Sequence, residues 1–82
     1  MTREEVFIAV QNIFRDIFDL EDLTIDDYTT SNDIEGWDSL NHIGIISAVE
    51  KEFKIKFALG ELSTLNNVGS MLDLIIQKLK SN

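Results

Sequence analysis

Ser39 is the side chain best placed for chemistry in this sequence. It lies in Gly36-Trp37-Asp38-Ser39-Leu40, where a polar stretch gives way to apolar residues at helical spacing. A helix start exposes unpaired backbone N–H groups and the positive end of the helix dipole, so a hydroxyl held there suits an attached phosphate. Asp38 is the residue type that caps such a turn. His42, the only histidine in the chain, follows Ser39 by about one helical turn.

Other chemistries can be tested by spacing. A nucleophile elbow needs glycine two residues before and two after its serine, whereas Ser39 has Trp37 and Asn41 there. A Ser39–His42 hydrolase would also need an orienting acid and an oxyanion hole, and no motif supplies them. An EF-hand built around Gly36 could use Asp33 and Glu35, but it would open on Ser31 and close on His42, so both ends fail. Asp19, Glu21, Asp22, Asp26 and Asp27 read as a solvated acidic loop, with loose divalent-cation binding as the sharper alternative. No glycine-rich cofactor motif is present.

The elements that must position Ser39 read as helices. Val6, Val10, Ile13, Ile17 and Leu20 recur in steps of four and three, widened by Phe7, Phe14 and Phe18. With Thr2-x-x-Glu5 as a capping box, this predicts a first helix from about Arg3 to Phe18. A polar loop follows to Trp37, with Leu23, Ile25, Tyr28 and Ile34 expected to pin it to the core. The second helix is expected from Asp38 or Ser39 to about Phe53, with Leu40, Ile43, Ile46, Val49 and Phe53 as its buried stripe. That register turns Asn41, Ser47 and Glu50 toward solvent. Gly60 to Leu65 reads as a short helical turn after Ile55-Lys56-Phe57. Asn67 then caps a last helix carrying Val68, Met71, Leu72, Ile75 and Leu79, with Lys78 and Lys80 near its C-terminus. The fold class is all-α: a small four-helix bundle of three longer helices and one short third helix, with a long loop between helices 1 and 2.

The chain has 82 residues, so one domain spanning 1–82 with a thin core is expected. It contains no cysteine, which removes disulfides, thiolate metal sites and a cysteine nucleophile; any thiol chemistry would need a borrowed thiol. Fifteen acidic against seven basic side chains give a net charge of −8, which disfavours nucleic acid as a partner. The N-terminus turns acidic at once and leads to no uninterrupted apolar stretch, so neither a signal peptide nor a membrane span is read there and a cytoplasmic location is expected. The chain opens on methionine as a free-standing protein would and as a trimmed module can.

Gly36-Trp37-Asp38-Ser39-Leu40, followed by Asn41-His42-Ile43 and Ala48-Val49-Glu50-Lys51-Glu52-Phe53, resembles the attachment site and second helix of acyl carrier proteins. Ile55 and Phe57 are similar to the family's apolar pair after that helix, Leu65 to the end of its short third helix, and Asn67-Val68 to the cap of its last. With Phe14, Leu23 and the acidic balance, the resemblance covers nearly the whole chain. It implies that Ser39 receives 4′-phosphopantetheine from coenzyme A through a separate phosphopantetheinyl transferase that uses magnesium. It also implies that Asp38 caps the helix and helps the transferase recognise the site. The arm's terminal thiol would carry acyl groups as thioesters, and the carrier itself would catalyse nothing. Acyl ligases, synthases or transferases are the implied further partners, and a monomer is expected.

For a partner surface the resemblance points to the start of the second helix and its flanks, here Trp37, Leu40, Asn41, Glu50 and Phe57. The sequence departs from housekeeping fatty-acid carriers two and five positions after the serine, where Asn41 and Gly44 replace acidic residues. Weaker charge beside the arm favours a specialised pathway, such as polyketide or modified-lipid synthesis. A peptidyl or aryl carrier and an unmodified carrier-like interaction module are the alternatives. Trp37 reads equally as an exposed anchor or a buried loop residue. His42 reads as a contact to phosphate or partner, or as an ordinary helical histidine. Phe7, Phe14, Phe18, Phe53 and Phe57 read as core, which can double as the wall of an acyl cavity.

Overall fold

A computed structural model describes residues 1–63 and 65–81. Four helices follow in order: α1 (Arg3–Phe18), α2 (Ser39–Phe53), the short α3 (Leu59–Leu62) and α4 (Val68–Ser81). The bundle and the long α1–α2 loop agree with the pattern in the sequence. No strand occurs among the described residues.

Local chemistry sets the helix ends. Thr2 and Glu5 form a reciprocal capping box: the Thr2 hydroxyl accepts the Glu5 N–H at 3.1 Å and the Glu5 carboxylate accepts the Thr2 N–H at 2.8 Å. Asp19 ends α1 in the left-handed conformation, φ 54°, and Lys54 ends α2 in the same way, φ 56°. At the start of α4 the Asn67 side chain accepts the Ser70 N–H at 2.8 Å, as its position before Val68 predicts. The short third helix covers Leu59–Leu62. It begins one residue before the turn expected from Gly60 through Leu65 and ends at Leu62; Thr64, within that expected span, lies outside the described residues.

Helix α1 packs against both α2 and α4. Val6, Val10 and Phe14 of α1, Ile45 and Val49 of α2, and Val68 and Ile75 of α4 are fully buried together. Removing a side chain such as Phe14 from water contributes about 1.5–3 kcal/mol, so this shared core holds the bundle. Phe53 is also buried, while Phe7, Phe18 and Phe57 pack at the core's margin.

Three parts of the expected core are placed differently. Leu40 and Ile43 are 77% and 65% exposed, and Ile45 is buried instead. At about 100° per residue, Ile45, Ile46, Val49 and Phe53 fall in one sector of α2, with Ile43 at its margin and Leu40 opposite. Leu20 lies past the end of α1 and is also exposed. In the loop, Ile25 and Ile34 are buried and Leu23 half-buried as expected, but Tyr28 points to solvent.

The long loop is tied down by specific bonds. Gln11 of α1 accepts the Ile25 N–H at 3.0 Å, and Arg15 Nε donates to the Leu23 carbonyl at 2.8 Å. The loop also serves α4, whose first N–H groups need acceptors. Val68 N–H donates to the Thr29 carbonyl and Gly69 N–H to the Asp27 carbonyl, each at 2.9 Å. Arg3 adds ion pairs to Asp27 and Asp73, linking the start of α1 to the loop and α4. Its guanidinium pKa is raised, first by the Asp73 hydrogen bond.

Candidate functional site

The approach to Ser39 is a tight backbone arrangement. Ile34 plugs into the core, and Gly36 turns the chain with φ +91°, a conformation that side-chain-bearing residues rarely adopt. The Gly36 carbonyl accepts two bonds, from the Asp38 N–H at 2.9 Å and from Asn41 Nδ2 at 2.6 Å. Asn41, expected to face solvent, instead uses its amide to brace the turn and is half-buried.

Asp38 caps α2 in extended backbone. Its carboxylate accepts the Asn41 N–H at 2.8 Å, and its carbonyl accepts the His42 N–H at 2.8 Å. Ser39 is the first helical residue, it is exposed, and its hydroxyl makes no hydrogen bond among the described residues. The hydroxyl is therefore accessible while the backbone beneath it is fixed from both sides.

Trp37 is half-buried. Its ring meets Phe14 edge-on at 5.1 Å, lies tilted to Phe18 at 6.4 Å, and lies edge to edge with the His42 ring, centres 6.0 Å apart and planes within 20° of parallel. The indole Nε1–H donates to His42 Nδ1 at 3.1 Å. Trp37 thus takes the loop-core position of its two expected readings, with its one polar atom satisfied. His42 is half-buried beside it and shares the inner sector of α2 with Ile46.

An open cleft of about 460 Å³ runs past Ser39, lined among others by Ser31, Trp37, His42, Ile43 and Leu65. It mixes hydrogen-bonding groups with apolar surface, and Ser39 is one of its lining residues. Those features suit an arm with a phosphate at one end and a weakly polar chain beyond it. Among the described residues no set of three or more metal-ligating side chains converges. In the acidic loop, the Asp26 carboxylate accepts bonds from Tyr28 and Thr29, and Asp27 pairs with Arg3.

The expected partner residues divide into two groups. Leu40 is exposed on the α2 surface beside Ser39, next to the exposed Ile43. Glu50 and Phe57 lie lower and are joined: the Glu50 carboxylate accepts the Phe57 N–H at 2.8 Å. Phe57 is half-buried, with the Lys78 ammonium 5.9 Å from its ring centre. Lys78 also pairs with Glu61 at 2.7 Å, while Glu61 accepts the Ala58 N–H at 2.7 Å. The Ala58 amide first, and then Lys78, hold the Glu61 carboxyl below the usual carboxylate range.

The Trp37–His42 and Glu50–Phe57 bonds escaped sequence reading because each joins residues of different local structure. The inner register of His42 was available from helical periodicity. Its bond to an indole five residues away was not.

Comparison with known proteins agrees with this geometry. Residues 9–75 match the family model described as the phosphopantetheine attachment site. An acyl carrier protein from Cyanidium caldarium is 30% identical over 99% of this chain and 94% of its own length. The solution structure of a holo acyl carrier protein from Geobacter metallireducens superimposes with a TM-score of 0.87 at 45% identity, covering 93% of this chain and 87% of the other. Helix order, the capped start of α2 and these matches together establish that the chain belongs to the acyl carrier protein family, non-catalytic carriers with covalent 4′-phosphopantetheine.

Proposed function

We propose that this chain is a single carrier domain, residues 1–82, whose Ser39 bears the 4′-phosphopantetheine arm and which carries acyl intermediates in a specialised biosynthetic pathway. The observation that carries the reading is the exposed, unengaged Ser39 hydroxyl on the first residue of a helix capped by Asp38. Ser39 Oγ attacks the pantetheine-side phosphorus of coenzyme A within a magnesium-dependent transferase. The Oγ–P bond forms as the pyrophosphate bond breaks, 3′,5′-adenosine bisphosphate leaves, and the hydroxyl proton passes to the transferase. The arm supplies the thiol that this cysteine-free chain lacks, and acyl groups ride on it as thioesters.

Asp38 fixes the helix start and marks the site for the transferase. Synthases, ligases or acyltransferases read the neighbouring surface, where Leu40 and Ile43 offer exposed apolar contacts. Trp37 and Asn41 brace the start of α2 beside that surface, and Glu50 and Phe57 are its flank toward the end of the helix. Asn41 and Gly44 leave the first turns of α2 with little negative charge beyond the cap, which weakens steering toward basic docking patches and favours polyketide or modified-lipid synthesis over housekeeping fatty-acid synthesis. A cytoplasmic, monomeric carrier accords with this use.

Incubation with coenzyme A, magnesium and a broad-specificity transferase tests the reading by intact mass. A phosphopantetheine adduct on the protein and none on Ser39→Ala is expected. A folded protein left unmodified by an active transferase would sink it. Efficient acyl elongation by an ordinary fatty-acid synthase would count against the specialised pathway.

A further inference from the structure

The bond between Trp37 and His42 fixes more than the packing of a loop. An indole Nε1 can only donate, so the His42 Nδ1 that receives it at 3.1 Å must carry a lone pair. In neutral imidazole the proton then sits on Nε2, and His42 becomes a donor at its other ring nitrogen. Nε2 makes no hydrogen bond among the described residues. His42 lies three residues after Ser39, hence on an adjoining face of α2, and both residues line the same cleft.

The electrostatics of that cleft give such a donor a task. A phosphodiester on Ser39 adds a negative charge next to Asp38, in a chain already at net charge −8. Among the described residues no lysine or arginine lines the cleft. In the first turn of α2 the Asn41 and His42 amides are already engaged by Asp38. Among the lining side chains, His42 is the one on the same helix as Ser39 that retains a free N–H.

We propose that His42 holds the phosphodiester borne by Ser39 through an Nε2–H hydrogen bond, with Trp37 as the positioning residue that fixes the imidazole tautomer and plane. The inference rests on Ser39 being the modified residue. It adds a specific anchor for the arm: the base of the prosthetic group is restrained by the histidine, while the remainder lies along Ile43 and Leu65.

The test uses the full chain, modified in vitro and checked by intact mass. ¹⁵N-resolved spectra of His42 should show the proton of the neutral ring on Nε2 in both apo and modified protein. The ³¹P resonance of the phosphodiester should move in His42→Phe, which keeps an aromatic ring against Trp37, and return toward the original position in His42→Gln, which restores a donor. In Trp37→Phe the Nε2–H tautomer should lose its dominance. A wild-type His42 protonated on Nδ1 overturns the proposal without any variant. A ³¹P resonance identical in wild type and His42→Phe overturns it as well. Both outcomes are distinct from failure of the carrier reading, which appears earlier as the absence of any mass adduct.

Discussion

The carboxylate of Glu50 accepts the backbone N–H of Phe57 at 2.8 Å. The bond spans the chain reversal after α2, where Lys54 adopts φ 56° and Ile55 enters the core. A helix side chain thus anchors the segment that leads into α3. Glu50→Ala should lower unfolding free energy by about 1 kcal/mol, because it leaves a half-buried amide without its charged acceptor. Hydrogen exchange should show the Phe57 amide losing protection while core amides of α1 keep theirs. Unchanged protection at Phe57 would contradict the structural role.

Two helical glycines should respond to alanine with opposite sign. A Cβ at Gly44 would meet Ile17 Cδ1 at 3.5 Å, an ordinary contact. Gly44→Ala is expected to raise stability by up to about 1 kcal/mol, the usual gain in helix propensity. At Gly69 a Cβ would meet the Asp27 carbonyl oxygen at 3.0 Å, the same oxygen that accepts the Gly69 N–H. Gly69→Ala must push the loop away from α4 and should cost about 1–3 kcal/mol. Chemical denaturation of the two variants checks both signs.

The contrast between Gly44 and Gly69 also shows what the sequence made legible. Helix periods, the Thr2–Glu5 box, Asp38 and Asn67 are local signals, and each appears where its spacing indicates. The close approach at Gly69 depends on where a distant loop runs, which no period encodes. Leu40 and Ile43 have the apolar character of core residues but not the angular position. Ile45 and Ile46 complete a tighter sector that leaves Leu40 outside. Ser39 and Asp38 were readable as a capped helix start, whereas the bond that gives His42 its orientation comes from tertiary packing of Trp37 on Phe14.

Exposure of Leu40 and Ile43 separates stability from recognition. The double variant Leu40→Ser, Ile43→Ser removes apolar surface that the folded chain does not bury, so its unfolding free energy should change by less than about 1 kcal/mol. If partner enzymes grip this surface, the same variant should raise their KM for the modified protein roughly 10-fold, the equivalent of about 1.4 kcal/mol of lost contact. Steady-state transfer assays against a fixed donor would read this. Equal KM values would remove Leu40 and Ile43 from the docking surface.

Acid should loosen the ends of the bundle. Glu5 has its carboxyl pKa lowered, first by the Thr2 backbone N–H, and Glu61 has its own lowered, first by the Ala58 N–H and then by Lys78. For a carboxyl whose folded pKa lies below its unfolded value, the unfolded chain binds more protons as pH falls. The stabilising contribution is therefore complete above the ordinary glutamate value of about 4.3 and disappears as pH drops through the lower folded values. Thermal midpoints should be flat with respect to these two groups near neutrality and decline below roughly pH 5. Glu5→Gln with Glu61→Gln should start from a lower midpoint at neutral pH and decline less steeply, since an amide neither titrates nor accepts as strongly. Parallel acid slopes for wild type and the double variant would show that other carboxylates govern the transition.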